Sequence, residues 1–67
     1  MELMKQALKD WRNLNALLPK MREDQVLSLL GIEKKGQQRV MFLERLHQRY
    51  STLRAKRERK ELLHDLL

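Results

Sequence analysis

The stretch QQRVMFLERLHQRYSTLRAKRERKELLHD, residues 37–65, contains neither Gly nor Pro. Within it Val40, Leu43, Leu46, Tyr50 and Leu53 recur at heptad-like spacing, supported by Met41 and Phe42. The pattern predicts one long helix of ~40 Å at 1.5 Å per residue. From Arg54 to Glu61 charge falls on every face, so no single-chain core can bury that part, and it must project into solvent or lie on a partner. Leu62, Leu63, Leu66 and Leu67 follow it. Exposed, they form an adhesive patch; paired with a second copy, they extend a coiled coil; as a plain chain end, they fray.

Working back towards the N-terminus, Lys34, Lys35 and Gly36 read as the end of a preceding shorter helix over about 23–34, with Val26, Leu27, Leu29 and Leu30 as its apolar set. Asp24 or a neighbour is its expected cap, and Glu23 and Asp24 suit its positive end. Gly31 weakens this helix and offers an earlier end. Before it, Met4, Ala7, Leu8, Trp11, Leu14 and Leu18 recur at three- and four-residue spacing, which predicts a first amphipathic helix over about 2–18 closed by Pro19.

The fold class expected is therefore all-α. Two shorter helices pack on one long basic C-terminal helix in a single domain covering residues 1–67, without internal repeat or linker. A chain of 67 residues buries only about 60% of the surface its unfolded form exposes, which makes self-association, a homodimer above all, an expectation. With no cysteine there is neither a disulfide nor a cysteine-based zinc site to supplement the core. No apolar run is long enough to span a bilayer, and Met1-Glu2-Leu3-Met4-Lys5 lacks the order of a signal peptide, so a cytoplasmic location is expected.

Charge narrows the partner. The net charge is +6, from 15 Lys and Arg against 9 Asp and Glu, and attracts nucleic acid, acidic proteins or anionic headgroups. Arg45, Arg49, Lys56 and Lys60 fall at intervals of 4, 7 and 4 residues and share one helix face, flanked by Arg39, Arg54, Arg57 and Arg59. Such a row can neutralise phosphates and release counterions. The bland alternative is a solvated face in which Glu44, Glu58 and Glu61 pair with nearby bases. A basic helix ending in leucines can also lie on an anionic bilayer, but residues 54–61 have no apolar face to insert, so no membrane partner is expected.

Other motifs carry less. Residues 26–40 resemble a helix-turn-helix, with Gly31 at the turn and Val26, Leu30, Ile32 and Val40 at the apolar positions; Gln37, Gln38 and Arg39 can read base edges. Leu27, Gln37 and Gly36 depart from that pattern, and a plain interhelical turn is the preferred reading. Glu44 and His47 form one E-x-x-H pair, half of what a di-metal bundle site needs, so no metal is expected. With two histidines, no cysteine, and Ser28 and Ser51 lacking a base beside them, no catalytic constellation, cofactor or small-molecule substrate is expected. Trp11 and Phe42 read as core, with Tyr50 at its edge, and three aromatics are too few for a single-strand stacking platform.

At His47-Gln48-Arg49-Tyr50, Leu53-Arg54 and Arg57-Glu58-Arg59 the chain resembles small helical accessory proteins of tailed bacteriophages, over roughly residues 22–63. The resemblance implies an early phage product in the bacterial host cytoplasm that binds nucleic acid or seizes a host protein, and it carries over no catalytic residues. Two functions follow. One is a non-enzymatic nucleic-acid-binding module, for DNA or RNA, using Arg39, Arg45, Arg49, Arg54, Lys56, Arg57, Arg59 and Lys60. The other is a regulator or inhibitor of a host protein anchored through Leu62, Leu63, Leu66 and Leu67.

Overall fold

Asp10 divides the first apolar segment. In the computed structural model, which describes the backbone of residues 2–66 and side chains from Met4 onward, Asp10 is extended (φ −155°, ψ 172°) and its Oδ1 accepts from the Asn13 N–H at 2.8 Å. That cap starts a new helix and ends the expected continuity of residues 2–18: α1 spans Glu2–Ala7 and α2 spans Trp11–Leu17. The α-helix ends at Leu17, just before Pro19 as expected, but the helical path continues through Pro19. Pro19 occupies the first turn of a 3-10 helix, Leu18–Lys20, where its missing N–H has no partner to lose. The extended residue Met21 (ψ 148°), itself buried, ends that turn.

Helix α3 covers Glu23–Lys35. Its cap is Arg22, whose N–H donates to Gln25 Oε1 at 2.9 Å, and Asp24 lies inside the first turn. Gly31 neither ends α3 nor turns the chain, and the register required by the helix-turn-helix resemblance is absent. The turn comes after Lys35 instead, where Gln38 adopts φ 55° and donates its N–H to the Glu33 carbonyl at 2.9 Å.

Helix α4, Val40–Leu66, has 27 residues and accounts for the molecule's long dimension of 43 Å. Arg57 bonds Glu23 at one end of α3 and Arg39 bonds Glu33 near the other, so α3 lies antiparallel along the first two-thirds of α4. α1, α2 and the 3-10 turn cover the hairpin. Met4, Ala7, Leu14, Leu18, Met21, Val26, Leu29, Phe42 and Leu46 form the core, edged by Leu8, Leu17, Leu30, Tyr50 and Leu53.

Four apolar residues leave the expected core. Val40 and Met41 are exposed because the buried stripe of α4 runs through Phe42, Leu46, Tyr50 and Leu53, roughly a third of a turn or more away from either. Leu27 faces away from the Val26, Leu29 and Glu33 side of α3. Trp11 retains 40% exposure and packs edge-on against Phe42, with ring centroids 5.7 Å apart and planes at 64°.

Candidate nucleic-acid interface

Beyond Leu53, every residue of α4 from Arg54 to Leu66 is exposed. α3 is less than half as long as α4, and its first residue is already level with Arg57. The remainder therefore projects as a bare helix. Its side chains are arranged by the 3.6-residue period alone.

That period sorts the charges. Arg45, Arg49, Lys56, Arg59 and Lys60 share one flank of α4, to one side of its buried stripe, over ~22 Å of helix. Glu58, Glu61 and Asp65 fall on the opposite flank. Among the described residues, none of the five bases on the first flank forms an ion pair. Arg45 is held by neutral amides: its Nε donates to Asn15 Oδ1 at 2.9 Å and its Nη1 to Gln48 Oε1 at 3.3 Å. Arg49 is half-buried, with an Nε that is enclosed and lacks an acceptor among the described residues. Lys56, Arg59 and Lys60 stand in solvent.

The other three bases suggested by the sequence are engaged by carboxylates. Arg54 Nε donates to Glu58 Oε1 at 2.7 Å, which raises the guanidinium pKa and lowers that of Glu58. Arg57 donates to both oxygens of Glu23, at 2.9 and 3.2 Å, and to Glu61 at 3.2 Å; the Glu23 bonds are the main cause of its raised pKa. Arg39 is remote from the projecting helix. Its Nε and Nη2 donate to the Glu33 carboxylate, and its Nη2 also reaches the Leu8 carbonyl at 2.9 Å. The same guanidinium covers the Phe42 ring, 3.5 Å from its centroid. Arg39 is part of the fold's interior fastening.

The leucine patch is open as well: Leu62, Leu63 and Leu66 are 60%, 48% and 74% exposed, and Leu67 lies outside the described residues. A shallow depression lined by Lys56, Arg59, Lys60, Glu61, Leu63 and His64 has no wall other than α4 itself, and Glu61 brings one carboxylate to its edge. Glu44 and His47 are exposed, and among the described residues no three metal-binding side chains cluster. Ser28 Oγ donates to the Asp24 carbonyl at 3.0 Å. No described helix is long and apolar enough to cross a membrane.

Sequence reasoning found the basic face and offered Glu58 and Glu61 as pairing acids, but not Glu23 or Glu33. Arg54 and Arg57 read as equivalent to Lys56 and Arg59 until helix phase and the position of Glu23 separate them. The i,i+4 spacing of Arg54 to Glu58 and of Arg57 to Glu61 was the available signal. No family model, no curated protein and no solved structure matches the chain.

Proposed function

We propose that this protein binds nucleic acid through the basic stripe of α4. The observation that carries the reading is the separation of charge: among the described residues, five bases without a carboxylate partner lie on one flank and the paired acids on the other, along a helix that extends beyond its own core. Phosphates of a polyanion displace condensed counterions when they meet such a row, and the entropy of that release supplies the affinity. Arg45 and Arg49 anchor the stripe to the bundle, and Lys56, Arg59 and Lys60 carry it outward. The role accords with what the likeness to phage accessory proteins implies.

Fluorescence anisotropy of labelled DNA and RNA at ~50 and ~200 mM salt tests this. Binding is expected at the lower salt and is largely lost at the higher. Lys56→Gln with Arg59→Gln and Lys60→Gln should remove most of it while the circular dichroism spectrum stays helical, because all three side chains are exposed. No binding at the lower salt would sink the proposal.

The exposed Leu62, Leu63 and Leu66 favour a second reading, in which α4 docks in an acidic or apolar groove of a host protein and the bases steer the encounter. In that case Leu→Ser changes at these positions abolish binding while the Lys and Arg changes only slow it. Sedimentation at several concentrations shows whether the same leucines join two copies of the chain.

A further inference from the structure

Resting on the nucleic-acid reading above, we infer that the stripe grips the phosphate backbone of a duplex from one side, without reading base sequence. Four observations converge on this.

The first is the acidic flank. A helix seated deep in the major groove has phosphate strands on both sides. Here Lys56, Arg59 and Lys60 would face one strand. The other would meet a flank whose Arg54 and Arg57 are already paired with Glu58 and Glu61 and to which Asp65 adds a negative charge, so among the described residues that flank offers it no free base. Laid against a single backbone, the basic flank meets phosphates and the acids point to solvent.

The second is the state of the side chains that could read bases. Asn15 and Gln48, the amides bordering the stripe, both accept from Arg45 and hold it in place. Gln38 donates its Nε2 to the Lys34 carbonyl at 3.0 Å and, like Gln37, belongs to the turn at the far end of α4. Arg39 is bound to Glu33.

The third is the set of the anchoring arginines. Arg45 commits its Nε to Asn15 and Arg49 has its Nε enclosed, so both turn that edge of the guanidinium towards the protein. Pairing with a guanine edge favours a freely presented fork, whereas contact with phosphate needs only the charge and an outward Nη.

The fourth is the lack of a stacking platform. Non-specific single-strand binders align exposed aromatics with successive bases. Among the described residues Phe42 is buried, Tyr50 is half-buried at the core's edge, and Trp11 lies edge-on against Phe42. The five bases instead form a straight row, which a stiff duplex matches without bending.

The test uses the full chain, two 20-base-pair DNA duplexes of unrelated sequence and one of their single strands. Each phosphate neutralised on B-form DNA contributes about −0.9 to the slope of log K against log salt, so five contacts give about −4.5. Between ~50 and ~200 mM salt that slope is a loss of about 500-fold. With Lys56→Gln, Arg59→Gln and Lys60→Gln combined, two contacts remain and the loss shrinks to about twelvefold. The inference expects both duplexes to bind within about fivefold of one another, each more tightly than the single strand, with the full slope. A larger difference between the duplexes, a single strand bound as well as the duplex, or a wild-type slope near that of the triple variant overturns it and leaves the nucleic-acid reading standing. Failure of every probe to bind at the lower salt overturns both.

Discussion

Glu33 is 2% exposed, and a carboxylate in that position without a partner would be strongly destabilising. Arg39 makes it tolerable by donating two side-chain hydrogen bonds to Oε1 and Oε2 and its own backbone N–H to Oε2, all between 2.7 and 2.9 Å. The side-chain bonds from Arg39 outweigh desolvation and hold the Glu33 pKa below its usual value. The same guanidinium satisfies the Leu8 carbonyl, which the break between α1 and α2 would otherwise leave without a helical donor. One side chain thus fastens the α1–α2 break to both sides of the α3–α4 turn. Glu33→Gln leaves Arg39 three-quarters buried without its counter-charge and is expected to cost about 3 kcal/mol, most of what so small a domain possesses. Urea denaturation at pH 7 measures it, and an unchanged midpoint would refute the role. The pH dependence has a definite sign. Because the folded pKa of Glu33 is depressed, its contribution is complete above the unfolded value near 4.5 and disappears as pH falls through the folded value. Wild-type stability attributable to this pair should therefore hold above that value and decline below it.

Glycine in a helix interior is normally a weakness, and in α3 it has no compensating contact. A Cβ added at Gly31 would meet nothing within 4 Å outside the local helix backbone. Gly31→Ala is expected to stabilise the protein by about 1 kcal/mol, with a rise in Tm of about 4–8 °C by thermal circular dichroism. A fall in Tm would mean that this position has a role beyond helix propensity. The same glycine illustrates which parts of the fold the sequence makes legible. Elements showed where a long run lacked breakers: residues 40–66 form one helix because nothing in them opposes it, and the charged part projects because no face of it can be buried. Register and breaks were harder to read. Met4, Ala7, Leu8, Trp11, Leu14 and Leu18 satisfy one helix or two, since a short turn at Leu8–Asp10 still delivers their apolar side to the same core; only the Asp10 cap distinguishes the alternatives. Val40 and Phe42 are both apolar at the start of α4, and contact with α3 and Trp11 selects Phe42 for burial. The Glu33–Arg39 fastening was illegible because Glu33-Lys34-Lys35 has the composition of a solvated helix end. At the candidate site the basic face was legible from spacing, as were the i,i+4 pairs of Arg54 with Glu58 and of Arg57 with Glu61, whereas the pairing of Arg57 with Glu23 depended on a contact made in three dimensions and that of Arg39 with Glu33 on the turn between α3 and α4.

At the scale of the whole molecule, 43 × 20 × 18 Å and +6 overall, the distribution of charge matters more than its sum. Glu58 and Glu61 occupy Arg54 and Arg57 and so cancel the positive potential that those arginines would give the flank opposite the stripe. Replacing both with Gln takes the formal charge from +6 to +8 without adding a base. Arg54 then loses its partner, whereas Arg57 keeps Glu23 and so continues to tie α4 to α3. The pairs removed are exposed i,i+4 contacts, and their loss should leave the Tm nearly unchanged. For duplex DNA at low salt, Glu58→Gln with Glu61→Gln is expected to tighten binding through the higher net charge while the salt slope stays nearly unchanged, because Arg54 shares the flank that faces away from the gripped backbone. A slope steeper by about 0.9 has a different meaning: the freed Arg54 reaches a phosphate, and α4 is contacted on both flanks. Unchanged affinity would place the nucleic acid beyond the reach of both acids, which the ~22 Å stripe does not permit if Lys56, Arg59 and Lys60 are all in contact, because Glu58 and Glu61 lie within the same two turns of helix.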